Sequence, residues 1–301
     1  MSALGLLQAC REHPVLRSEF LPVADRAIDR LLSQEIRNFD ARKWAEDPLE
    51  SLAGPNGHAA YLGYLNLVLS LHRAWVPGSR FATINDQITA ALIRRFRASQ
   101  TGVLETYPGE AYPVDIAAAL ASVMLHQRAT GEDHTAVVSL ILAHYRGDWR
   151  DPRSGLLYQA LDAREGTPTD RARASGSALA AFFLSFGERE VSRELFAAIR
   201  SRTAGSIIGF GFVREYPADS SGGHSDIDSG PLILGVSPSA TGFCVAGSRT
   251  FGDGDLFVRL YRTAYLLGAP VSRHDRRLFV TGGPLGNAIM LAMFTAQPTR
   301  P

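Results

Sequence analysis

The sequence predicts an all-helical protein whose helix pairs form a ring, an (α/α) toroid of five or six pairs. Three observations lead to this class. Apolar segments of helical length alternate with amphipathic segments along most of the 301 residues. A glycine separates the two helices of most pairs, and a long polar segment separates one pair from the next. The only runs typical of strands are residues 207–214 and 277–281.

The helical segments follow a regular order along the chain. Pro113 suits the first position of a helix, where its missing N–H is not needed. Asp115 then falls in the first turn, where the helix dipole favours a carboxylate. The segments predicted to form buried helices are 59–75, 113–130, 177–186, 231–250 and 284–296. Those predicted to form amphipathic helices are 18–37, 80–98, 134–145, 191–201 and 255–266.

Four glycines that end helices mark an internal repeat. They stand at positions 78, 131, 187 and 252, at intervals of 53, 56 and 65 residues. A single unit cannot bury its apolar helix alone, so neighbouring units must stack. An open solenoid and a closed ring both meet this requirement, but an open solenoid leaves one face of each apolar helix in water. We therefore expect a closed ring forming one domain over residues 1–301, with residues 1–17 as an N-terminal extension.

Composition limits the partners of the protein. A net charge of +1 argues against nucleic acid as the main partner. Cys10 and Cys244 are too few for a disulfide framework or a cysteine zinc site. No apolar run is long enough to span a membrane, and no signal peptide is evident. We expect a cytoplasmic protein that binds a small-molecule substrate, and a homo-oligomer is compatible with the sequence.

The long polar segments are where we expect chemistry. Residues 38–57, 101–112, 148–174, 203–230 and 268–283 should open on one side of a ring and share one mouth. The second segment and the helix after it hold Glu105, Glu110 and Asp115. A carboxyl near a hydrophobic mouth can have a raised pKa, which suits a general acid. The alternative is that Asp115 caps its helix and the two glutamates are solvated.

A second acidic segment covers residues 214–230. Asp226 and Asp228 are two residues apart, so in an extended loop one faces the mouth and the other faces away. His224 beside them can exchange a proton near neutral pH. The alternative is an Asp-Ser-Gly turn that caps the next helix. The three residues match no known cation-binding loop, so we predict no metal and no cofactor.

These considerations give one predicted site. Two carboxyls in a partly dry mouth repel each other, so that one keeps its proton while the other is ionised. Tyrosines there can donate hydrogen bonds or simply pack. The predicted catalytic residues are Tyr64, Glu110, Asp115, Asp226 and Asp228. The predicted substrate-binding residues are Trp44, Tyr61, Asn66, Glu105, Tyr107, Tyr112, Tyr158 and His224.

Several pieces of the sequence between about residues 61 and 256 resemble the linalool dehydratase-isomerase family. They are YLGYLNL at 61–67, YPV at 112–114, DPRSGLLY at 151–158, SATGF at 239–243 and FGD at 251–253. The resemblance implies an (α/α) barrel and cofactor-free acid–base chemistry on a largely apolar substrate. It also implies that Tyr158 is a substrate-pocket tyrosine. The family has a histidine at the position of Tyr64 and cysteines at those of Glu105 and Ile116, so linalool itself is not carried over as substrate.

Three classes of function remain open at this point. The first is a cofactor-independent lyase or isomerase that acts by general acid–base catalysis on an apolar, terpenoid-like substrate. The second is a carbohydrate-active enzyme with a carboxylate pair, a glycoside hydrolase or lyase, in which tyrosines and tryptophans stack on sugars. The third is a helical-repeat protein that binds a partner without catalysis. A closed ring with buried acids favours the two enzymes, and an open concave face favours the third.

Overall fold

A computed structural model describes residues 1–220, 229–274 and 276–297, and these are mostly helical, as predicted. The helices are α1 (Ser2–Glu12), α2 (Arg17–Leu32), α3 (Gln34–Trp44), α4 (Tyr64–Trp75), α5 (Ala82–Ala98), α6 (Pro113–Thr130), α7 (Thr135–Arg146), α8 (Ala174–Leu184), α9 (Arg189–Arg202), α10 (Pro238–Thr250), α11 (Gly254–Gly268) and α12 (Gly283–Phe294). A 3₁₀ turn, Pro14–Leu16, precedes α2, and a π-helical turn, Ala59–Gly63, leads into α4.

The described strands form two antiparallel hairpins. The first pairs β1 (Ala204–Ile207) with β2 (Phe210–Val213), and the second pairs β3 (Pro270–Arg273) with β4 (Arg276–Phe279). Both strand-like runs of the sequence lie at these hairpins. The first hairpin turns at residues 208 and 209, which both have positive φ, as a tight two-residue hairpin turn requires.

Six helices contact each other in cyclic order. Helix α1 packs against α4, α4 against α6, α6 against α8, α8 against α10, α10 against α12, and α12 again against α1. We call these six helices the inner ring. Helices α5, α7, α9 and α11 each pack against the ring helix that precedes them, with their own direction reversed by a short turn. The ring helices therefore run roughly parallel, and their N-termini open at one end.

Burial follows the predicted division for four of the ring helices. Helices α4, α6, α8 and α10 are buried over most of their length, whereas α9 and α11 each bury a single stripe. Small residues make this possible, because they let helix backbones approach closely. A Cβ at Gly63, just before α4, would lie 3.1 Å from the main-chain nitrogen of Ala119 in α6. Helix α6 ends at Gly131, whose φ of 80° is the left-handed cap that glycine favours.

The N-terminal residues differ from the sequence-based expectation. Residues 1–17 were expected to be an extension, but within them α1 is a buried member of the inner ring. Gly5 lies directly against Leu291 and Ala292 of α12, and Gln8 Nε2 donates a 2.9 Å hydrogen bond to the Ala292 carbonyl. This piece is short, and its partner lies at the far end of the sequence, so its local pattern gives no sign of the contact.

Helix α12 also differs from its prediction. Residues 284–296 were expected to form a buried helix, yet within α12 only Ala292 and Met293 are buried. The prediction was wrong for the first half of the helix, where Leu285 is exposed. Helix α1 reaches α12 around Leu291 and Ala292, and the N-terminal half lies beyond that contact.

None of the helices within the described ranges is both long enough and apolar enough to span a membrane.

The contact between α1 and α12 can be tested at Gly5. A Cβ there would lie 2.6 Å from Leu291 Cγ and 2.9 Å from the Ala292 main-chain nitrogen. We expect Gly5→Ala to lower the free energy of unfolding by about 1–3 kcal/mol, because the two helices must move apart. Urea unfolding followed by circular dichroism measures the change.

Gly254→Ala is the matched control, since a Cβ at Gly254 would meet no atom within 4 Å. It should change stability by less than about 0.5 kcal/mol. Equal losses in the two variants would contradict the close α1–α12 contact.

Candidate active site

Main-chain hydrogen bonds join the segments before α4, α6, α8 and α10 into one structure, which we call the rim. The bonds are 2.9–3.0 Å long and run from Ala59 to Glu105, from Leu161 to Ala111, from Ala174 to Glu215 and from Ser237 to Val213. These four segments therefore meet at one end of the inner ring, as predicted for a shared mouth. The last predicted segment, 268–283, makes its main-chain bonds within the β3–β4 hairpin and the start of α12.

Glu215 lies in the rim, where the chain leaves β2 and crosses the N-terminus of α8. Its carbonyl accepts from the Ala174 N–H, and its own N–H donates to the Gly235 carbonyl at 3.0 Å. The Ser175 hydroxyl donates to the carboxyl oxygen Oε1. The residue is 0% exposed, and Oε2 makes no hydrogen bond to any described residue. The main chain thus fixes a buried carboxyl at a helix N-terminus.

Burial raises the pKa of Glu215 above its ordinary value of 4.5. The hydroxyls of Ser175 and Ser237 and the charge of Arg173 act in the opposite direction, but desolvation outweighs them. The Ser237 hydroxyl itself donates to the main-chain oxygen of Ser229 at 2.9 Å. Glu215 therefore keeps its proton to higher pH than a solvated glutamate, which is the property that a general acid needs.

Arg173 lies close to this carboxyl, and a second arginine and a tyrosine lie beside Arg173. Arg173 is held by its N–H, which donates to the Leu157 carbonyl at 3.0 Å, and by a side-chain ion pair with Asp170. The guanidinium carbons of Arg171 and Arg173 lie 5.2 and 5.9 Å from the centre of the Tyr216 ring. This side of the rim is therefore lined with hydrogen-bonding and positively charged groups.

Two predicted site residues, Asp115 and Tyr158, lie at the rim, and a third, Tyr64, lies deeper, against the last turn of α8. Asp115 is buried in the first turn of α6. Tyr64 begins α4, and its ring meets that of Phe183 in α8 edge to face at 5.1 Å. Tyr158 is half-buried, and its pKa is raised by burial and by the charge of Asp151. The roles of all three stay predictions. His224, Asp226 and Asp228 lie outside the described residues.

The loop before α6 forms a tight turn of its own. The Glu110 N–H donates to the Tyr107 carbonyl at 2.9 Å, and the Gly109 N–H donates to the Glu105 carboxylate at 3.3 Å. The exposed Glu110 carboxylate accepts from the Tyr112 hydroxyl at 2.9 Å. The geometry thus favours the solvated alternative for Glu110 over its predicted part in a buried carboxylate pair.

His58 forms a buried cluster with residues of α3 and the loop after it. Its Nδ1 lies 2.5 Å from Asp40 Oδ2, and its Nε2 lies 2.9 Å from Glu46 Oε1. The Trp44 ring packs on the imidazole with centroids 4.6 Å apart. Both ring nitrogens are engaged, so this cluster fixes the start of the π-helical turn rather than facing a ligand. Trp44 was predicted to bind substrate, but it is a buried member of this cluster.

Two further residues predicted to bind substrate make internal contacts instead. The Tyr61 hydroxyl donates to the Leu31 carbonyl at 2.7 Å, and burial raises its pKa. Asn66 is 0% exposed and lies in a hydrogen-bond network that links α4, α5 and α6. Its Nδ2 donates to Thr89 and Ser122 at 3.0 and 2.9 Å, and its Oδ1 accepts from Asn85 at 2.8 Å. Asn66 was expected to face the mouth because its helix begins there, but it lies on a face turned to other helices.

A cluster with the composition of a metal site lies at the opposite end of α6. His126, Glu132 and His134 each offer a ligand atom, and these atoms lie within 4.8 Å of one another. The His126 Nε2 lies 2.7 Å from Asp86 Oδ1. Burial lowers the pKa of His134, and the neighbouring His126 acts in the same direction. These are the only residues in the described ranges that meet this criterion for a metal ion.

Comparisons with known proteins assign no family. No family model matches the sequence, and no curated protein is similar to it. Nine chains of solved structures match, among them a glycoside hydrolase of family 105 from C. acetobutylicum ATCC 824. That match has a TM-score of 0.38 and 13% identity, and it covers 87% of this chain and 92% of the other. The likeness is too weak to assign a function, and the resemblance to the linalool dehydratase-isomerase family stays a prediction.

Glu215 and the His126 cluster were not among the predicted sites, although the sequence carries a signal for each. Residues 211 and 213 of β2 are buried. Glu215 is the next residue in this alternation of every second position, so its side chain also faces the core. A glutamate at a buried strand position is unusual and can be recognised from the alternation alone. His126 and His134 flank the helix-ending Gly131, and a turn at that glycine brings them together.

The raised pKa of Glu215 predicts a pH-dependent stability. The folded chain holds the Glu215 proton more tightly than the unfolded chain. The contribution of this proton to the free energy of unfolding is therefore fully present below about pH 4.5 and is lost as pH rises through the folded-state pKa. Relative to wild type, Glu215→Gln should therefore gain stability across that interval, by about 1.4 kcal/mol per unit of pKa elevation. Urea unfolding from about pH 4 to about pH 8 measures the difference. A difference independent of pH would contradict the raised pKa.

The Asn66 network predicts a loss of stability that does not depend on the rim. We expect Asn66→Ala to lower the free energy of unfolding by about 2–3 kcal/mol, because it leaves buried partners on α5 and α6 without their hydrogen bonds. Asn38→Ala, at an exposed position of α3, is the control. If chemical denaturation gave the same midpoint for both variants, the network would not stabilise the ring.

Proposed function

We propose that the inner ring and its outer helices form an (α/α)6 barrel, and that its rim carries an enzyme active site for a hydroxyl-rich substrate such as a saccharide. The observation that carries the proposal is Glu215. It is a fully buried carboxyl with a raised pKa, fixed by main-chain bonds at the end of the ring where four loops meet. Buried carboxyls whose pKa is raised and whose position is fixed in this way are candidates for acid–base catalysis.

The polarity of the rim supports a sugar-like substrate over an apolar one. The cation of Arg173 lies close to Glu215, and the phenol of Tyr216 lies beside Arg173. A second phenol, that of Tyr158, belongs to the rim segment before α8. Pockets for apolar ligands are lined mainly by apolar side chains, with few polar groups. A substrate with many hydroxyls can satisfy these groups, whereas a terpenoid alcohol would leave most of them unpaired at a cost in binding.

In this proposal Glu215 donates its proton to the oxygen of the leaving group. The bond from that oxygen to carbon then breaks, and Glu215 is left as a carboxylate next to Arg173, which stabilises the charge. Asp115, the buried acid at the start of α6, is proposed as the second carboxyl. It either bonds to that carbon itself, and water later displaces it, or it takes a proton from the water that bonds to the carbon. A separation of about 5–5.5 Å between the two carboxyls in a substrate complex would give retention, and about 6.5–9.5 Å would give inversion.

The assay compares two substrate classes on the purified protein. A panel of p-nitrophenyl glycosides and oligosaccharides represents the proposed class, and small terpenoid alcohols represent the lyase or isomerase class. We expect turnover in the first panel. Glu215→Gln should lower it by about 10²–10⁴-fold, since the amide cannot donate the required proton. Activity of the wild type should fall as pH rises through the raised pKa of Glu215.

Glu165→Gln is the control, because Glu165 is an exposed glutamate in the same rim and plays no part in the proposed chemistry. It should leave turnover unchanged. A folded Glu215→Gln protein with the wild-type rate would rule out the assignment. Turnover of a terpenoid alcohol and of no glycoside would instead support the class implied by the family resemblance.

A further inference from the structure

We propose that His126, His134 and Glu132 bind a divalent transition-metal ion, with Zn²⁺ as the fitting ion, at the end of the ring opposite the rim. The residues lie where α6 ends at Gly131 and α7 begins. His126 is eleven residues beyond Asp115 on the same helix, about 16 Å along its axis. The site is therefore separate from the proposed active site and does not depend on it.

The distance between the two histidines fits a tetrahedral ion. His126 Nδ1 and His134 Nε2 are 3.3 Å apart. Two nitrogens on a tetrahedral zinc ion, each at about 2.0–2.1 Å, lie about 3.3–3.4 Å apart. At the right angle of an octahedral ion the same bond lengths give about 2.8–3.0 Å. The observed spacing matches the tetrahedral value, and a bound ion would replace the hydrogen bond that the same spacing permits between the two rings.

The third ligand is close and free to move. Glu132 Oε2 lies 3.7 Å from His134 Nε2, within a few tenths of an ångström of the tetrahedral spacing. Its side chain is 61% exposed, so a small rotation completes the triad without disturbing the core. By contrast, the backbone of the turn is fixed. The Glu132 N–H donates to the Thr130 hydroxyl at 3.1 Å, and the His134 N–H donates to the Gln127 side chain at 2.8 Å.

A carboxylate orients the first histidine for this role. Asp86 Oδ1 lies 2.7 Å from His126 Nε2, and Asp86 also forms an ion pair with Arg73. A proton on Nε2 satisfies Asp86 and leaves the lone pair of Nδ1 pointing toward His134. Carboxylate–histidine contacts of this kind fix the tautomer and raise the basicity of metal-binding histidines. Asp86 is thus a positioning residue and not a ligand.

The three ligands leave one coordination position for a small molecule. They line a cavity of about 530 Å³ together with Arg94 and Arg97 of α5. Zinc sites with three protein ligands keep the fourth position for water or substrate. The positive charges of the two arginines repel a bare cation, but they attract an anionic fourth ligand such as a carboxylate or phosphate.

The test is zinc binding by the full chain, expressed without a polyhistidine tag and freed of metal by a chelator. Isothermal titration with Zn²⁺ should show one site per chain. His134→Ala should weaken Zn²⁺ binding by about a hundredfold or more, since it removes one of the three protein ligands of the ion. His144→Ala is the matched control, because His144 also contacts a carboxylate, Asp148, but lies outside the cluster. The Co²⁺-loaded protein should show the strong visible absorption of a tetrahedral site.

Glu132→Ala decides the question if His134→Ala fails to fold, since the Glu132 side chain is in solvent. It should weaken Zn²⁺ binding about tenfold or more, and the exposed Glu190→Ala should not. Asp86→Ala should lower the affinity by about 10–100-fold, and Asp86→Asn should restore part of it, because its amide oxygen still accepts from Nε2. Absence of saturable Zn²⁺ binding, or equal binding by wild type and Glu132→Ala, would overturn the proposal.

Discussion

Closure of the inner ring is the constraint on which the other features depend. Helices α6, α8 and α10 are apolar around most of their circumference, so no face of them can be left in water without a large cost. The contact between α1 and α12 completes the cycle and gives every ring helix two neighbours. Gly5 permits this contact because it has no side chain to separate the two backbones. The ring also sets the helices roughly parallel, which brings their N-termini to one end.

The two ends of the ring therefore differ in electrostatics. The rim receives helix N-termini, where partial positive charge favours an acidic side chain such as that of Asp115. The opposite end receives the carbonyl termini of the ring helices, which favour cations. His126 lies in the last turns of α6, where the proposed metal ion would find this potential. One helix thus places an acid at one end and a candidate metal ligand at the other.

Much of the fold could be predicted from sequence, and less of the site. The buried character of α6, α8 and α10 follows from local composition, and a helix-ending residue such as Gly131 marks where a turn begins. The place of α1 could not be predicted, because its partner α12 is almost the whole chain away. Some predictions of site residues were wrong for a similar reason. Asn66 is on a helix that begins at the rim, but only the packing of α5 and α6 shows that its side chain points to them.

The hydrogen bond between Gln8 and Ala292 spans 284 positions of the chain. During synthesis on the ribosome, α1 emerges long before its partner α12. Until α12 has left the exit tunnel, the apolar flanks of α1 and α10 have no permanent neighbour. Those apolar flanks therefore stay exposed in the nascent chain until α12 has been synthesised, and apolar surface exposed in this way favours aggregation.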